Sequence, residues 1–177
     1  VIEAYLTERF GSDPKLRNFG LKLLEKKEAD YFCFHDVDMY AQDADYSPVT
    51  MPTHLARYVE QYDWDMPYRA YFGGVTLFDK ESYRKINGYS NEYWGWAVDD
   101  DDLYWRCVLT GFTRREGRFW SDDHDRENYD KWQEENWAKF QASLLDTEAK
   151  SGITTTEYTI LESKQFNPQL RRILVSI

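Results

Sequence analysis

Residues 31–38 read YFCFHDVD, a short apolar run that ends in two carboxylates one residue apart. A nearly continuous apolar run of this length is typical of a strand that is buried on both faces. Residues 13–27 begin with Asp-Pro and then carry apolar residues at helical spacing, which predicts a helix. A helix followed by a buried strand indicates an α/β fold, and we expect residues 1–177 to form one domain.

Asp36 and Asp38 are the first candidate site residues. Strand side chains alternate between faces, so the two carboxylates are expected to point the same way. Hard divalent cations prefer such oxygen ligands. The alternative is a plain strand-to-loop junction, where aspartate is common. A calcium loop of the EF-hand type is disfavoured, because Ala41 stands where glycine is needed and Ser47 replaces the closing glutamate.

A second candidate site lies at residues 93–102, which read YWGWAVDDDD. The acidic run and Gly111 predict a helix from Asp99 to Thr110. Acidic residues are favourable at a helix start, which is the purely structural interpretation. Four adjacent aspartates also repel one another, and two tryptophans precede them. Because sugar rings pack on aromatic faces and their hydroxyls bind carboxylates, this pattern favours a carbohydrate site.

Three further stretches carry weaker signals. Residues 71–75 read YFGGV, and paired glycines in a strand indicate either a close approach to a ligand or tight packing. Residues 121–125 read SDDHD, in which the histidine is a metal-ligand candidate or an ordinary solvated residue. Residues 39–70 predict a long binding loop with a short helix near residues 54–59.

The composition narrows the function classes. The net charge of −10 argues against a nucleic-acid binder, although a metal ion would still allow a nucleotide ligand. Aromatic residues make up 18% of the chain, which predicts that some of them line a surface or a cleft. No stretch approaches the length of an apolar membrane span. The composition does not assign a cellular location.

Several motifs, in this order, resemble the beta-1,4-galactosyltransferases (glycosyltransferase family 7). They are FHDVD at 34–38, YFGGV at 71–75, INGY at 86–89, and YWGW at 93–96 with its acidic run. The resemblance implies an α/β, GT-A-like fold with a mixed central sheet. In this sequence the family's first strand–helix unit has no counterpart. It also implies inverting transfer of galactose from UDP-galactose to a xylose- or N-acetylglucosamine-type sugar acceptor. The implied cofactor is Mn²⁺, with Mg²⁺ as the alternative.

The resemblance also implies roles by position. The catalytic base is Asp100. The metal ligands are Asp38 and His124. The family's third ligand is a methionine or a histidine at positions that hold Ser121 and Asp122 here, and Asp122 is preferred because it is a hard oxygen ligand. The donor-binding residues are Asp36, Val37, Tyr71, Gly74 and Trp96. The acceptor-binding residues are Tyr68, Trp96, Asp99, Asp100 and Asp101.

One departure from the family pattern affects the acceptor site. Family members usually read Gly-Gly-Glu where this chain has Ala97-Val98-Asp99, which puts the acceptor preference in question. Three other functions are kept beside galactosyl transfer. An N-acetylgalactosaminyltransferase of the chondroitin-synthesising type shares the Trp-Gly-Trp region, and a catalytically silent carbohydrate-binding domain is kept because the family's first strand–helix unit has no counterpart. The third is a calcium-binding structural domain.

Overall fold

The computed structural model describes residues 2–6, 14–24, 29–95, 97–122, 129–145, 150–167 and 171–176. The helices are α1 (Pro14–Leu24), α2 (Lys80–Lys85), α3 (Asp99–Thr110) and α4 (Tyr129–Ser143). The strands are β1 (Ile2–Leu6), β2 (Tyr31–His35), β3 (Met39–Asp43), β4 (Thr53–His54), β5 (Tyr58–Val59), β6 (Val75–Asp79), β7 (Thr113–Arg114), β8 (Arg118–Ser121), β9 (Thr159–Gln165) and β10 (Arg171–Ser176). None of the helices in these ranges is long and apolar enough to cross a membrane.

The strands form three small sheets, each with parallel and antiparallel pairs. The central sheet has the order β2-β6-β4-β7, in which β4 and β7 are parallel and the other pairs are antiparallel. A second sheet has the order β3-β8-β5, and a third has the order β1-β10-β9. The expected mixed α/β fold is confirmed, with its strands divided among three sheets.

The central sheet is buried on both faces, as the apolar run at residues 31–38 predicts. On β6, Phe78 packs into one cluster with Tyr83 and Leu103, whereas Leu77 packs on the opposite face with Phe119. Because strand side chains alternate, each strand of the β2–β6 pair contributes to both clusters. This double burial fixes the end of β2, where the first two candidate carboxylates follow.

Local signals account for the helices that flank the site. The carboxylate of Asp79 caps α2 by accepting hydrogen bonds from the backbone N–H groups of Glu81 and Ser82, both at 3.0 Å. Helix α3 begins at Asp99 and ends before Gly111, whose φ is +89°. Helix α3 was predicted at this position, because acidic and glycine signals at helix ends act within a few residues.

Two sequence expectations about local structure are wrong. The predicted short helix near residues 54–59 is instead β4 and β5, because His54 pairs with Thr76 of β6 and Tyr58 pairs with Arg118 of β8. Strand β2 ends at His35, so Asp36 and Asp38 lie in a turn beyond the strand. Their directions therefore depend on the turn, and not on strand alternation.

Candidate active site

The turn after β2 is joined to the paired glycines. The backbone N–H of Asp36 donates to the carbonyl of Gly74 at 2.9 Å, and that of Met39 donates to the carbonyl of Asp36 at 3.2 Å. Val37, at the tip of this turn, is 94% exposed. Two separate motifs of the sequence, at residues 34–38 and 71–75, thus meet at one edge of the central sheet.

The four aspartates at the start of α3 have different partners. Asp102 is buried and accepts hydrogen bonds from Arg106 Nε at 2.6 Å, Tyr93 OH at 3.2 Å and Ser143 Oγ at 3.3 Å. These bonds link α3 to the loop before it and to α4. Asp102 therefore has a structural role, which leaves three aspartates to face the site.

Asp99 and Asp100 share one cation, Arg17 of α1. The Nη1 atom of Arg17 lies 3.4 Å from Asp100 Oδ1 and 3.8 Å from Asp99 Oδ2. Its Nη2 atom lies 2.9 Å from Asp36 Oδ1. The predicted donor-side carboxylate, Asp36, and the predicted base, Asp100, are therefore brought together around one guanidinium group.

Asp101 faces a different partner on the loop before β6. The hydroxyl of Tyr68 donates to Asp101 Oδ2 at 3.3 Å, and the Tyr68 ring lies 5.9 Å from the ring of Tyr71. Tyr68 is 46% exposed. The predicted acceptor residues Tyr68 and Asp101 are therefore adjacent. An exposed ring beside a carboxylate forms an amphipathic surface of the kind expected to bind a sugar.

The paired glycines leave room for these side chains. A Cβ atom added to Gly73 would lie 2.1 Å from Asp100 Oδ2, and one added to Gly74 would lie 3.1 Å from Tyr71 OH. The carbonyl of Gly73 accepts a hydrogen bond from Nε2 of buried His54 at 3.0 Å. Gly73 is therefore held against Asp100, and the close approach that the glycine pair predicts is made to site side chains.

The three carboxylates around Arg17 have raised pKa values. Burial and the neighbouring Asp99 raise the pKa of Asp100 and Arg17 lowers it, which leaves that pKa at about 7. Burial also raises the pKa values of Asp36 and Asp99 to about 6, again opposed by Arg17. A carboxylate whose pKa lies near neutrality is suited to accept a proton, which is the property expected of a general base.

Two of the three predicted metal ligands lie together. The backbone N–H of Asp122 donates to the carbonyl of Asp38 at 2.8 Å, and one Asp122 oxygen accepts from Tyr40 OH at 2.6 Å. His124 lies outside the described residues. Within the described ranges no group of three histidine, cysteine, aspartate or glutamate side chains could hold a metal. The two aspartates supply the oxygen donors that Mn²⁺ and Mg²⁺ accept.

The loop that leads into α3 has an unusual backbone. Ala97 and Val98 have φ values of +79° and +64°, a left-handed region that costs non-glycine residues free energy. Gly95 lies against Trp132 of α4, and Asn136 of α4 donates to the carbonyl of Trp94 at 2.8 Å. Helix α4 therefore holds the strained loop in place. Trp96, a predicted donor and acceptor residue, lies outside the described residues.

Comparison with known proteins identifies the family. A family model described as the N-terminal domain of galactosyltransferase matches residues 53–141, half of the chain. This chain belongs to the beta-1,4-galactosyltransferase family. The matched segment contains the glycine pair, Tyr68, Tyr71 and the acidic start of α3.

Individual relatives agree with this family assignment. Human beta-1,4-galactosyltransferase 2 is 34% identical over 186 residues, covering 98% of this chain and 50% of the relative. Bovine beta-1,4-galactosyltransferase 1 is 32% identical over 171 residues, covering 92% of this chain and 42% of the relative. This family member thus spans about half the length of the curated relatives it matches.

The fold of this family member is shared with solved structures. A Drosophila beta-1,4-galactosyltransferase 7 mutant in complex with manganese, UDP-Gal and xylobiose superimposes with a TM-score of 0.73 at 22% identity. The match covers 100% of this chain and 79% of that chain. The GT-A-type fold expected from the sequence is therefore confirmed.

Two arginines that the sequence did not single out support the site. The carboxylate partners of Arg17 lie 19 and 83 residues away in the chain, and no local sequence pattern predicts such a pairing. Arg114 donates from Nη2 to the carbonyls of Arg69 and Tyr71, both at 3.0 Å. Its guanidinium group also lies within 6.0 Å of the rings of Phe72, Tyr104 and Phe112. Arg114 thereby fixes the loop that carries Tyr68 and Tyr71.

Proposed function

We propose that this galactosyltransferase-family chain transfers galactose from UDP-galactose to a sugar hydroxyl with inversion at the anomeric carbon. The observation that carries the proposal is the convergence of Asp36 and Asp100 on the guanidinium group of Arg17. Asp36 lies beside the glycine pair and Asp100 lies in the first turn of α3, so a predicted donor residue and a predicted acceptor residue are close to each other. Family membership supplies the reaction class.

In this proposal, Asp100 acts as the general base. Its carboxylate takes the proton from the acceptor hydroxyl while that oxygen forms a bond to the anomeric carbon. The bond from that carbon to the diphosphate breaks on the opposite face, and UDP leaves with the electron pair. A base whose pKa is raised to about 7 by burial is matched to work near neutral pH.

Tyr68 and Asp101 are proposed to hold the acceptor. The ring of Tyr68 packs on one face of the sugar, and the Asp101 carboxylate accepts from a sugar hydroxyl, as it now accepts from Tyr68 at 3.3 Å. A xylose-type acceptor is the preferred candidate, because the structural neighbour from Drosophila was solved with xylobiose. An N-acetylglucosamine-type acceptor is the second candidate.

The proposed metal is Mn²⁺, with Asp38 and Asp122 as oxygen ligands and His124 as the expected nitrogen ligand. When bound, a divalent ion would neutralise charge that builds up on the departing diphosphate. The support is the type of donor atoms and the backbone hydrogen bond that places Asp122 beside Asp38. An Asp38→Ala variant should lose Mn²⁺-dependent binding of UDP-galactose, and unchanged affinity would remove this residue from the metal site.

Tyr71 is proposed to select the donor sugar. Its hydroxyl lies near Gly74, and its ring contacts those of His54, Tyr62 and Tyr68, so it cannot swing aside without disturbing several neighbours. A Tyr71→Leu variant should therefore use UDP-N-acetylgalactosamine better relative to UDP-galactose. A wild-type preference for the N-acetylated donor would instead favour the chondroitin-type alternative.

The direct test measures UDP release with Mn²⁺, UDP-galactose and a panel of xylosides and N-acetylglucosaminides. Release should require an acceptor and should be abolished in Asp100→Asn, which has nearly the same shape but cannot take the proton. Asp30→Asn, at an exposed position, serves as the matched control and should retain activity. Acceptor binding without transfer from any donor would instead indicate a silent carbohydrate-binding domain.

A further inference from the structure

The side chain of Arg17 connects three elements of the fold. It starts on α1, reaches Asp36 in the turn after β2, and reaches Asp99 and Asp100 at the start of α3. Its guanidinium group lies 4.6 Å from the centre of the Tyr89 ring, and its side chain is 19% exposed. Arg17 is therefore clamped between an aromatic face and three carboxylates.

The platform beneath Arg17 is rigid. Tyr89 is fully buried, and its backbone N–H donates to the side-chain oxygen of Asn18 at 3.1 Å. The same Asn18 oxygen accepts from Tyr83 OH at 2.8 Å. Because Asn18 follows Arg17 directly in α1, the arginine and the ring under it are fixed by the same helix turn.

The geometry of the contacts requires a guanidinium group. The Nη2 atom of Arg17 contacts Asp36, whereas its Nη1 atom contacts Asp99 and Asp100. A planar fork with separate nitrogen atoms can bond to two carboxylates at the same time in fixed directions, whereas the ammonium group of lysine is a single point. When ionised, the carboxylates of Asp36 and Asp100 carry like charges and would repel each other without the Arg17 guanidinium between them.

We propose that Arg17 is a positioning residue, which ties the Asp100 carboxylate to Asp36 and so sets its place between acceptor and donor. Arg17 touches neither substrate in this proposal and acts through Asp100. The inference rests on the proposed function, because it assigns Arg17 to the same transfer reaction. It adds a residue of α1 to a site otherwise built from the β2 turn, the loop before β6 and the start of α3.

The test compares steady-state kinetics of Arg17→Met and Arg17→Lys with a matched control. Lys22→Met removes a cation from the same helix, where Lys22 donates to the Thr156 carbonyl at 2.6 Å, away from the three carboxylates. Arg17→Met should lower kcat by about 10- to 100-fold, the penalty typical of a misplaced catalytic group. The KM for UDP-galactose should stay near the wild-type value, and Lys22→Met should keep the wild-type kcat.

Arg17→Lys separates positioning from simple charge neutralisation. It keeps the positive charge but not the fork, so its kcat should remain well below that of wild type. Full activity in Arg17→Lys would overturn the proposal, as would a normal kcat in Arg17→Met. In Arg17→Ala, added guanidinium ion should restore part of kcat, and an ammonium salt of equal ionic strength should not. If guanidinium and ammonium both restored kcat in the folded Arg17→Ala protein, or if neither did, the planar guanidinium group would not be the reason for the activity of wild type, and the proposal would be refuted.

A measurement without substrate keeps this inference separate from the proposed function. Arg17→Met leaves carboxylates without their cation and should lower the midpoint of thermal unfolding. Adding Asp100→Asn to that variant removes one of those charges and should recover part of the loss. Strictly additive midpoint shifts would refute the Arg17–Asp100 contact, whereas a wild-type protein that transfers no galactose would refute only the proposed function.

Discussion

A single methyl group placed at Gly73 should displace the carboxylate of Asp100, the proposed base. The Cβ atom of Gly73→Ala would lie 2.1 Å from Asp100 Oδ2, whereas ordinary van der Waals contact begins at 3.4 Å. The two atoms must therefore separate by about 1 Å. The backbone of Gly73 is held by its hydrogen bond to His54, so we expect the Asp100 side chain to rotate away.

We expect Gly73→Ala to lower kcat, because it moves the proposed base. A misplacement of about 1 Å at a catalytic group lowers the rate by about 100-fold, which corresponds to about 2.7 kcal/mol of activation free energy. The assay is UDP release at saturating UDP-galactose, Mn²⁺ and acceptor, with kcat and both KM values determined. The fold should tolerate the change, because Gly73 does not have a left-handed backbone.

Gly20→Ala is the matched control. Gly20 lies in α1, and an added Cβ there meets nothing within 4 Å. This variant should gain about 0.5–1 kcal/mol of stability, as expected when alanine replaces glycine inside a helix, and should keep the wild-type kcat. Equal kcat values for the Gly73 and Gly20 variants would refute the assignment of Asp100 as the base held at this position. A change confined to the KM for UDP-galactose would indicate that Tyr71, whose Cε2 atom lies 3.0 Å from the new methyl, moved instead.

Three further predictions concern stability and pH. Asp102→Ala breaks a buried ion pair and should lower the free energy of unfolding by about 3–5 kcal/mol in urea titrations, whereas exposed Asp30→Ala should stay within about 0.5 kcal/mol of wild type. Ala97→Gly relieves a φ of +79° and should raise the free energy of unfolding by up to about 1 kcal/mol; a decrease would show that the loop is not strained. Burial raises the pKa values of Asp99 to about 6 and of Asp100 to about 7, above the value of about 3.9 for an unfolded chain. The stabilisation that comes from these raised pKa values is therefore complete below about pH 4, and it is lost as the pH rises through about 7. In contrast, kcat should rise over pH 6–8 as the Asp100 carboxyl ionises. A flat stability profile in urea titrations from pH 4 to 8, or one unchanged in Asp100→Asn, would contradict the pKa assignment.

Much of the site could be assembled from the sequence, because its parts carry local signals. The acidic run followed by Gly111 defined α3, and the apolar run at residues 31–38 defined the buried strand before Asp36. The glycine pair at 73–74 indicated a close approach of the backbone. The order of these motifs was sufficient to predict the family and the GT-A-type fold.

Other features depend on contacts between distant residues. A short helix was predicted near His54, but pairing with β6 and β7 makes that segment a strand. Four consecutive aspartates look equivalent in the sequence, yet Asp102 bonds to Arg106 while Asp101 faces Tyr68. Which carboxylate is structural is determined by the helix face it occupies and by the elements that pack there.

The sequence alone determined the helix that carries the acidic run, the buried strand that leads to Asp36, and the residue types that a sugar transferase needs. These depend on propensities and caps that act within a few residues. Only the tertiary structure decided that Arg17 bridges Asp36 and Asp100. The energy of such a contact depends on the distance between charges and on their burial, and both are set by how α1, the β2 turn and α3 pack together.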